Sequence, residues 1–268
     1  MRNVSRIIVG VITIPIVIAI IFYLPAAFFV FLMMVIAGVG LYEYFSLVKT
    51  DIAFPWLREL LSLVGVAFPL SAYYYGINGV VAVLFGVLML LMILAMGGLN
   101  GYESSFRNVG ALFLGFFFVA VPLSMAILIL MSAPHGRDWA LWMVIIVWAG
   151  DTGAFYLGTA FGKRRIYPKV SPKKSMEGVV GGIVSALIVG ILARMFLDTG
   201  FAVGEVLILP PVLLVLGQLG DFSESMLKRG AGAKDSGRIL AGHGGILDRI
   251  DSFLFTIPFF YIYLLLRS

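Results

Sequence analysis

Apolar residues fall in long blocks along this chain, and polar residues are confined to the gaps between them. A helix needs about 17–25 apolar residues to cross the hydrocarbon core of a bilayer. Nine runs meet that need: Ile7–Leu24, Ala26–Val48, Leu57–Tyr75, Val80–Met96, Val109–Met131, Trp139–Phe161, Gly178–Leu197, Phe201–Leu219 and Ile250–Leu266. The eighth carries Pro210–Pro211 at its middle and is expected to kink or break there; the ninth is short and contains Pro258. The opening MRNVSR followed by an apolar run looks like a secretory signal, but Ala26 and Ala27 lead straight into another span. An uncleaved first helix is therefore expected. The pattern predicts an all-α polytopic membrane protein of about nine helices, a single integral domain overall. Residues 1–135 form its N-terminal scaffold and residues 136–268 its catalytic region.

Composition supports the same class. The chain is 61% hydrophobic and 12% charged, with a mean hydropathy of +1.07, whereas a soluble domain carries about 25% charged residues. Cysteine is absent, which excludes disulfides and thiolate catalysis, and the two histidines, His135 and His243, are too few for a His-rich metal centre. Nine spans put 16 of the 19 basic residues on the side of the N-terminus, leaving Arg137, Arg194 and Arg267 on the other. Positive charge marks the cytoplasmic side, so the N-terminus and the polar loops are expected there. No nucleic-acid partner is expected.

The candidate chemistry lies in the second half. Before about Pro134 the one intramembrane acid is Glu43, which either lines a polar cavity or snorkels to the interface. Asp151 falls inside the sixth span, where a carboxylate costs several kcal/mol unless it faces a partner or water. It is expected at a functional cavity, the bland reading being a pair with Arg194 or a hydrogen bond across helices. The loop GKRRIYPKVSPKKSMEG supplies six basic residues, among them Lys173 and Lys174. Positive-inside topology explains several of them, and an anion or lipid-headgroup site explains their gathering at the seventh span. GTAFGK is one residue short of a phosphate-binding P-loop and is rejected.

The longest polar stretch runs from Asp221 to Asp251. If the eighth helix continues through it, Asp221, Glu224, Ser225 and Lys228 share one face, as Asp248 and Asp251 do at the start of the ninth. Divalent cations such as Mg²⁺ bind through one or two carboxylates together with phosphate oxygens. Asp221, Asp248 and Asp251, ringed by Lys228, Arg229, Lys234, Arg238 and Arg249, suit metal-assisted phosphoryl transfer. A solvated, salt-bridged helix face is the competing account of the same residues. His243, among glycines, is either a phosphate donor or general base, or a turn-packing residue.

The run from Ser225 to Asp251, SMLKR through KDSG to GHGGILDRID, closely resembles the signature of the phosphatidate cytidylyltransferase family. SPKKSMEG at Ser171–Gly178 and WAGDTGAF at Trp148–Phe155 resemble two further blocks of that family, while the N-terminal half matches only in being apolar. Ala241 stands where many relatives carry proline. The resemblance implies a reaction of phosphatidate with CTP to give CDP-diacylglycerol and pyrophosphate. It implies a multi-pass inner-membrane homodimer with a cytoplasm-facing polar cavity. It also implies an acidic metal cluster of Asp221, Asp248 and Asp251 for Mg²⁺, shared with a second, monovalent cation such as K⁺. Lys173, Lys174, Lys228, Arg229 and Lys234 would hold the triphosphate and the lipid headgroup, and Ser225, Asp235 and His243 would shape the site. Asp151 would line the headgroup cavity or stand behind the metal cluster.

Other readings compete. An ether-lipid cytidylyltransferase or a polyprenol or phytol kinase would use CTP differently. The DGxxAR pattern of CDP-alcohol phosphotransferases is absent. An anionic-solute transporter would explain the spans and basic loops but not clustered carboxylates, which repel an anion.

Overall fold

The computed structural model describes residues 15–48, 56–96, 102–237 and 244–267. Its elements are α1 (15–22), α2 (Ala26–Leu47), α3 (Leu57–Gly65), α4 (Ala67–Met96), α5 (Tyr102–Gly115), α6 (Val121–Met131), α7 (Gly136–Phe161), β1 (Arg165–Tyr167), β2 (Ser171–Ser175), α8 (Met176–Arg194), α9 (Val203–Gly230) and α10 (Leu247–Arg267). The chain is an all-α polytopic bundle with one small hairpin. Among the described residues, seven helical runs are long and apolar enough to cross a membrane.

One of those runs, Leu57–Met96, has 40 residues, about 60 Å of helix and twice a bilayer's hydrocarbon thickness. It does not run straight. Gly76 takes φ 63° and ψ −150° inside α4, a conformation open to glycine. Beyond it the chain folds back so tightly that a Cβ on Gly79 would lie 2.5 Å from the Ser71 carbonyl oxygen. The turn falls between the stretches read from sequence as the third and fourth spans. The first of the nine, Ile7–Leu24, lies partly outside the described residues, and within them 15–22 is helical. The fifth differs in detail: α5 and α6 are joined by a π-helical turn at Phe116–Ala120.

The proline-bearing helices are unbroken, and the expected break at Pro210–Pro211 is corrected. α9 is one helix of 28 residues that runs through Pro210 and Pro211 and on to Gly230. The prolines leave the carbonyls of Val206 and Leu207 without their usual donors, a defect that packed neighbours make tolerable within a membrane helix. Here Pro210 is buried against α8, where a Cβ on Gly190 would come within 2.9 Å of its ring. α10 is likewise continuous through Pro258, and at 21 residues it is not short.

Close helix approach sets the frame of the second half. α7 and α8 meet through small residues: Gly153 lies under Ser185, Gly181 under Leu157, and Gly158 against Gly178. Membrane helices pack in this way because lipid gives apolar side chains no reason to prefer protein. Trp142 is fully buried and donates its indole N–H to the Gly190 carbonyl at 3.1 Å.

Side-chain contacts sort the loops to two ends. At one end Arg137 donates to the carbonyls of Ile21 and Phe22, both at 2.8 Å, and Arg267 pairs with Glu205 at 2.6 Å. The opposite, polar end gathers the foot of α2, the β1–β2 hairpin, the foot of α9 and the head of α10. α9 is about 42 Å long at 1.5 Å per residue. Its apolar part, to Gly220, is about 27 Å long, close to the thickness of a bilayer core, and, Glu205 apart, its charged residues follow in Asp221–Gly230.

Candidate active site at the polar end

The continuous α9 brings Asp221, Glu224, Ser225 and Lys228 onto one face, at the spacing that the sequence implied for an extended helix. α10 begins at Leu247 and presents Asp248 and Asp251 from its first two turns. The two helices nearly touch: a Cβ on Gly220 would sit 2.3 Å from the Asp251 carbonyl oxygen. The lack of a side chain at Gly220 is what lets the acids of α9 and α10 stand side by side.

From the other side comes the β1–β2 hairpin, formed within the basic loop GKRRIYPKVSPKKSMEG. Its strands pair antiparallel, Arg165 with Ser175 and Tyr167 with Ser171. Ser175 caps α8 by accepting from the Gly178 amide at 3.2 Å, and Glu177 accepts from the amides of Lys163 and Arg164. These bonds fix where β2 ends, and β2 carries Lys174 inward. Its ammonium reaches Asp221 at 2.7 Å, donates to the Gln218 carbonyl at 3.4 Å and lies 4.3 Å over the Phe222 ring. Ser225 donates to the second Asp221 oxygen at 3.3 Å.

Lys228 is held between two acids. Its ammonium bonds to Asp248 at 2.5 Å and pairs with Glu224, whose side chain is fully buried. Asp248 is otherwise committed to the chain before α10. Its second oxygen accepts from the Ser236 amide at 3.1 Å and the Gly245 amide at 2.8 Å, and lies 3.0 Å from the Ser236 hydroxyl. Asp151 lies one layer deeper, where Gln218 donates to it at 3.3 Å and Ser252 also bonds to it. It is thus hydrogen-bonded across helices, but within electrostatic reach of Asp221, Asp251 and Lys174. Asp251 faces like charges on Asp221, Glu224 and Asp151, and its described donor is the Ser252 amide at 2.7 Å.

That crowding is the test of fit for a divalent cation. A carboxylate facing three others, with one neutral donor, is relieved by a proton or by a nearby cation, and a divalent ion that prefers oxygen ligands, such as Mg²⁺, would supply the latter. Asp221 and Asp251 fit this requirement. Among the described residues no three acidic or histidine side chains already enclose a common point, and Asp248 has both oxygens engaged.

The candidates therefore divide. Asp221, Ser225, Lys174, Lys228, Asp248 and Asp251 come together in one polar layer, with Asp151 just beneath it. Lys173, Arg229, Lys234, Asp235 and Arg249 are exposed at its rim, and Arg229 donates to the Ala233 carbonyl at 3.0 Å. Arg238 and His243 lie outside the described residues. Sequence reading missed Gln218, Ser236 and Ser252. Gln218 was findable, since it falls one turn before Asp221 on the same face.

Glu43 neither lines an open cavity nor snorkels. It is 2% exposed and accepts from Ser236, Ile246 and Leu247.

Comparison with known proteins identifies the family. The model of the Cytidylyltransferase family matches residues 4–267. A Bacillus subtilis protein named phosphatidate cytidylyltransferase is 34% identical over 241 residues, covering 90% of each chain. Proteins of the same name from Staphylococcus saprophyticus and Haemophilus influenzae are 47% and 45% identical over 131 and 135 residues. Those two alignments cover 49% and 47% of this chain, and 50% and 45% of the relatives. With its whole length matched and its acidic and basic side chains gathered in one layer, the chain belongs to the cytidylyltransferase family.

Proposed function

We propose that the chain transfers the cytidylyl group of CTP to phosphatidate, forming CDP-diacylglycerol and releasing pyrophosphate. The observation that carries this reading is the joining of Lys174 and Lys228 to a crowded set of carboxylates at the polar end of the apolar helix α9. A lipid phosphate and a soluble nucleotide can meet at that height and nowhere deeper. The relatives named above carry this activity in their names.

In the proposed reaction a phosphatidate oxygen attacks the α-phosphorus of CTP in line with the departing pyrophosphate. A phosphate monoester is largely ionised at neutral pH, so the site has no need of a strong base. Positioning and charge neutralisation carry most of the work. Lys174 and Lys228 would hold phosphate oxygens, and Ser225 would orient beside Asp221. The rim residues Lys173, Arg229, Lys234, Arg238 and Arg249 would draw both anions in, with Asp235 and His243 shaping the entrance. Asp221 and Asp251 would hold Mg²⁺, which when bound neutralises charge developing on the phosphates. Asp248 completes the acidic set in this reading, but as a direct ligand it would have to exchange Lys228 for the metal. A monovalent cation such as K⁺ would share the cluster, and Asp151 would line the headgroup side.

The polar end is assigned to the cytoplasmic face of an inner membrane because 16 of the 19 basic residues lie toward it in the nine-span reading. The assembled form is proposed to be a homodimer.

The test is turnover. Purified protein in lipid is supplied with phosphatidate and CTP, with and without Mg²⁺, and CDP-diacylglycerol and pyrophosphate are measured. Equal amounts of both products, lost without Mg²⁺ and in Asp251→Asn, are expected. Product only from an ether-lipid phosphate or a free polyprenol would replace the substrate assignment. No nucleotide turnover with any of the three by folded protein would end the reading.

A further inference from the structure

A carboxylate from the N-terminal half reaches into this layer from a helix that otherwise reads as scaffold. Glu43 sits one turn before the end of α2 and is 2% exposed. One oxygen accepts from the Ile246 amide at 3.1 Å. The other accepts from the Leu247 amide at 2.9 Å and lies 3.0 Å from the Ser236 hydroxyl. The partners are about two hundred residues away in sequence. The backbone is shaped to admit it, since a Cβ on Gly237 or Gly245 would fall 2.4 Å or 2.3 Å from a Glu43 oxygen. Both glycines give up a side chain to the same carboxylate.

Two consequences follow from this geometry. Ile246 and Leu247 open α10, so Glu43 satisfies amides that a helix start leaves without partners and places negative charge at its positive end. Ser236 lies 3.0 Å from Asp248 as well as from Glu43. Its single hydroxyl proton can serve one acceptor at a time, and its amide donates to Asp248 at 3.1 Å. Glu43 thus grips both flanks of the segment between Gly237 and Gly244. Through Ser236 it also sets Asp248, which holds Lys228.

We propose that Glu43 is a positioning residue for the active site: an internal clamp that holds the Ser236 and Gly245–Leu247 flanks and, through Asp248, orients Lys228 toward substrate phosphate. The inference rests on the cytidylyltransferase reading for its effect on turnover, but the clamp itself can be measured without turnover. A merely structural glutamate would change the amount of folded protein and leave each folded molecule unaltered. A clamp changes the local opening of the Gly245–Leu247 backbone and the affinity of the site for nucleotide.

The experiment compares Glu43→Ala, Glu43→Gln and Ser236→Ala with the parent protein in lipid nanodiscs. Amide hydrogen exchange over 244–250 and over α6 is read alongside KM for CTP, kcat and the folded fraction. Removing a buried hydrogen bond to a charged acceptor is worth roughly tenfold or more. Exchange at 246 and 247 is therefore expected to quicken by about tenfold or more in Glu43→Ala, with α6 unchanged and KM for CTP raised. Glu43→Gln retains one acceptor oxygen and should recover part of both effects. Ser236→Ala removes only one arm and should raise KM while leaving exchange at 246 and 247 nearly as in the parent. If Glu43→Ala does not fold, the graded pair Glu43→Gln and Ser236→Ala decides: KM and exchange at parental values in both overturns the proposal. It is equally overturned if exchange rises in α6 as much as at 246 and 247, or if kcat falls only with the folded fraction. A parent protein without CTP turnover would sink the reaction assignment, while local exchange would still report on the clamp.

Discussion

Lys228 has two claims on it, one structural and one chemical, and they can be separated. Its ammonium lies between Glu224, fully buried, and Asp248, 16% exposed. Replacing Lys228 with methionine keeps the volume but leaves Glu224 as a buried charge without its cation. Breaking a buried pair in this way costs about 3–5 kcal/mol. Adding Glu224→Gln removes the stranded charge, so the double variant should regain most of that loss. It will fall short by the cost of an imperfectly paired amide, about 1–3 kcal/mol. Asp248 keeps its bonds from Ser236 and Gly245 throughout. The assay is a four-member cycle of thermal unfolding in lipid nanodiscs, read beside CDP-diacylglycerol formation. If Lys228 holds substrate phosphate, the double variant is stable and still about 10²-fold or more impaired, the scale of losing one charge-stabilising group. Restored activity in the double variant would refute the chemical role. A Lys228→Met protein as stable as the parent would refute the claim that Glu224 depends on its ammonium.

Three further outcomes follow from the geometry. Gly220→Ala should cost about 1–3 kcal/mol by overpacking and lower activity by parting Asp221 from Asp251. Gly217→Ala on the same helix, whose nearest neighbour would be at an ordinary 3.4 Å, should do neither. Unfolding and turnover of the two variants check this. Asp151→Asn removes one of the like charges facing Asp251, so the melting temperature should rise while activation by Mg²⁺ shifts to higher concentration. Lys174→Gln frees Asp221 from its 2.7 Å partner and takes a compensating charge from the crowded carboxylates, so a higher KM for CTP with a lower melting temperature is the expected pair of readings.

Much of this was legible because membrane proteins write their architecture in one dimension. A span must be apolar from end to end, so helices announce themselves as blocks, and acids that interrupt a block stand out. The face shared by Asp221, Glu224, Ser225 and Lys228 follows from helical spacing alone, once the helix is allowed to outrun the bilayer. Pro210–Pro211 misled for an equally local reason. In isolation a proline pair breaks a helix, but α9 stays one helix where Pro210 packs against Gly190 of another helix. Nothing within the neighbouring sequence of either residue encodes that contact.

The same limit explains the misreading of Glu43. Judged by its own surroundings, an acid near a helix end has two outlets, a cavity or the interface, because both are local ways to keep a charge hydrated. The structure uses a third: three donors from a segment some two hundred residues away, two of them amides left open by the start of α10. The donors are as anonymous in sequence as any backbone amide. Only Gly237 and Gly245 hint at the approach, and a glycine does not name what comes near it. The division into an N-terminal scaffold and a C-terminal catalytic region therefore describes where the titratable residues are written, and not how the site is held. α2 supplies the acid that fixes the head of α10, and α10 supplies Asp248 to fix Lys228. The polar layer is thus tied, through a buried carboxylate of α2, to the apolar half of the chain.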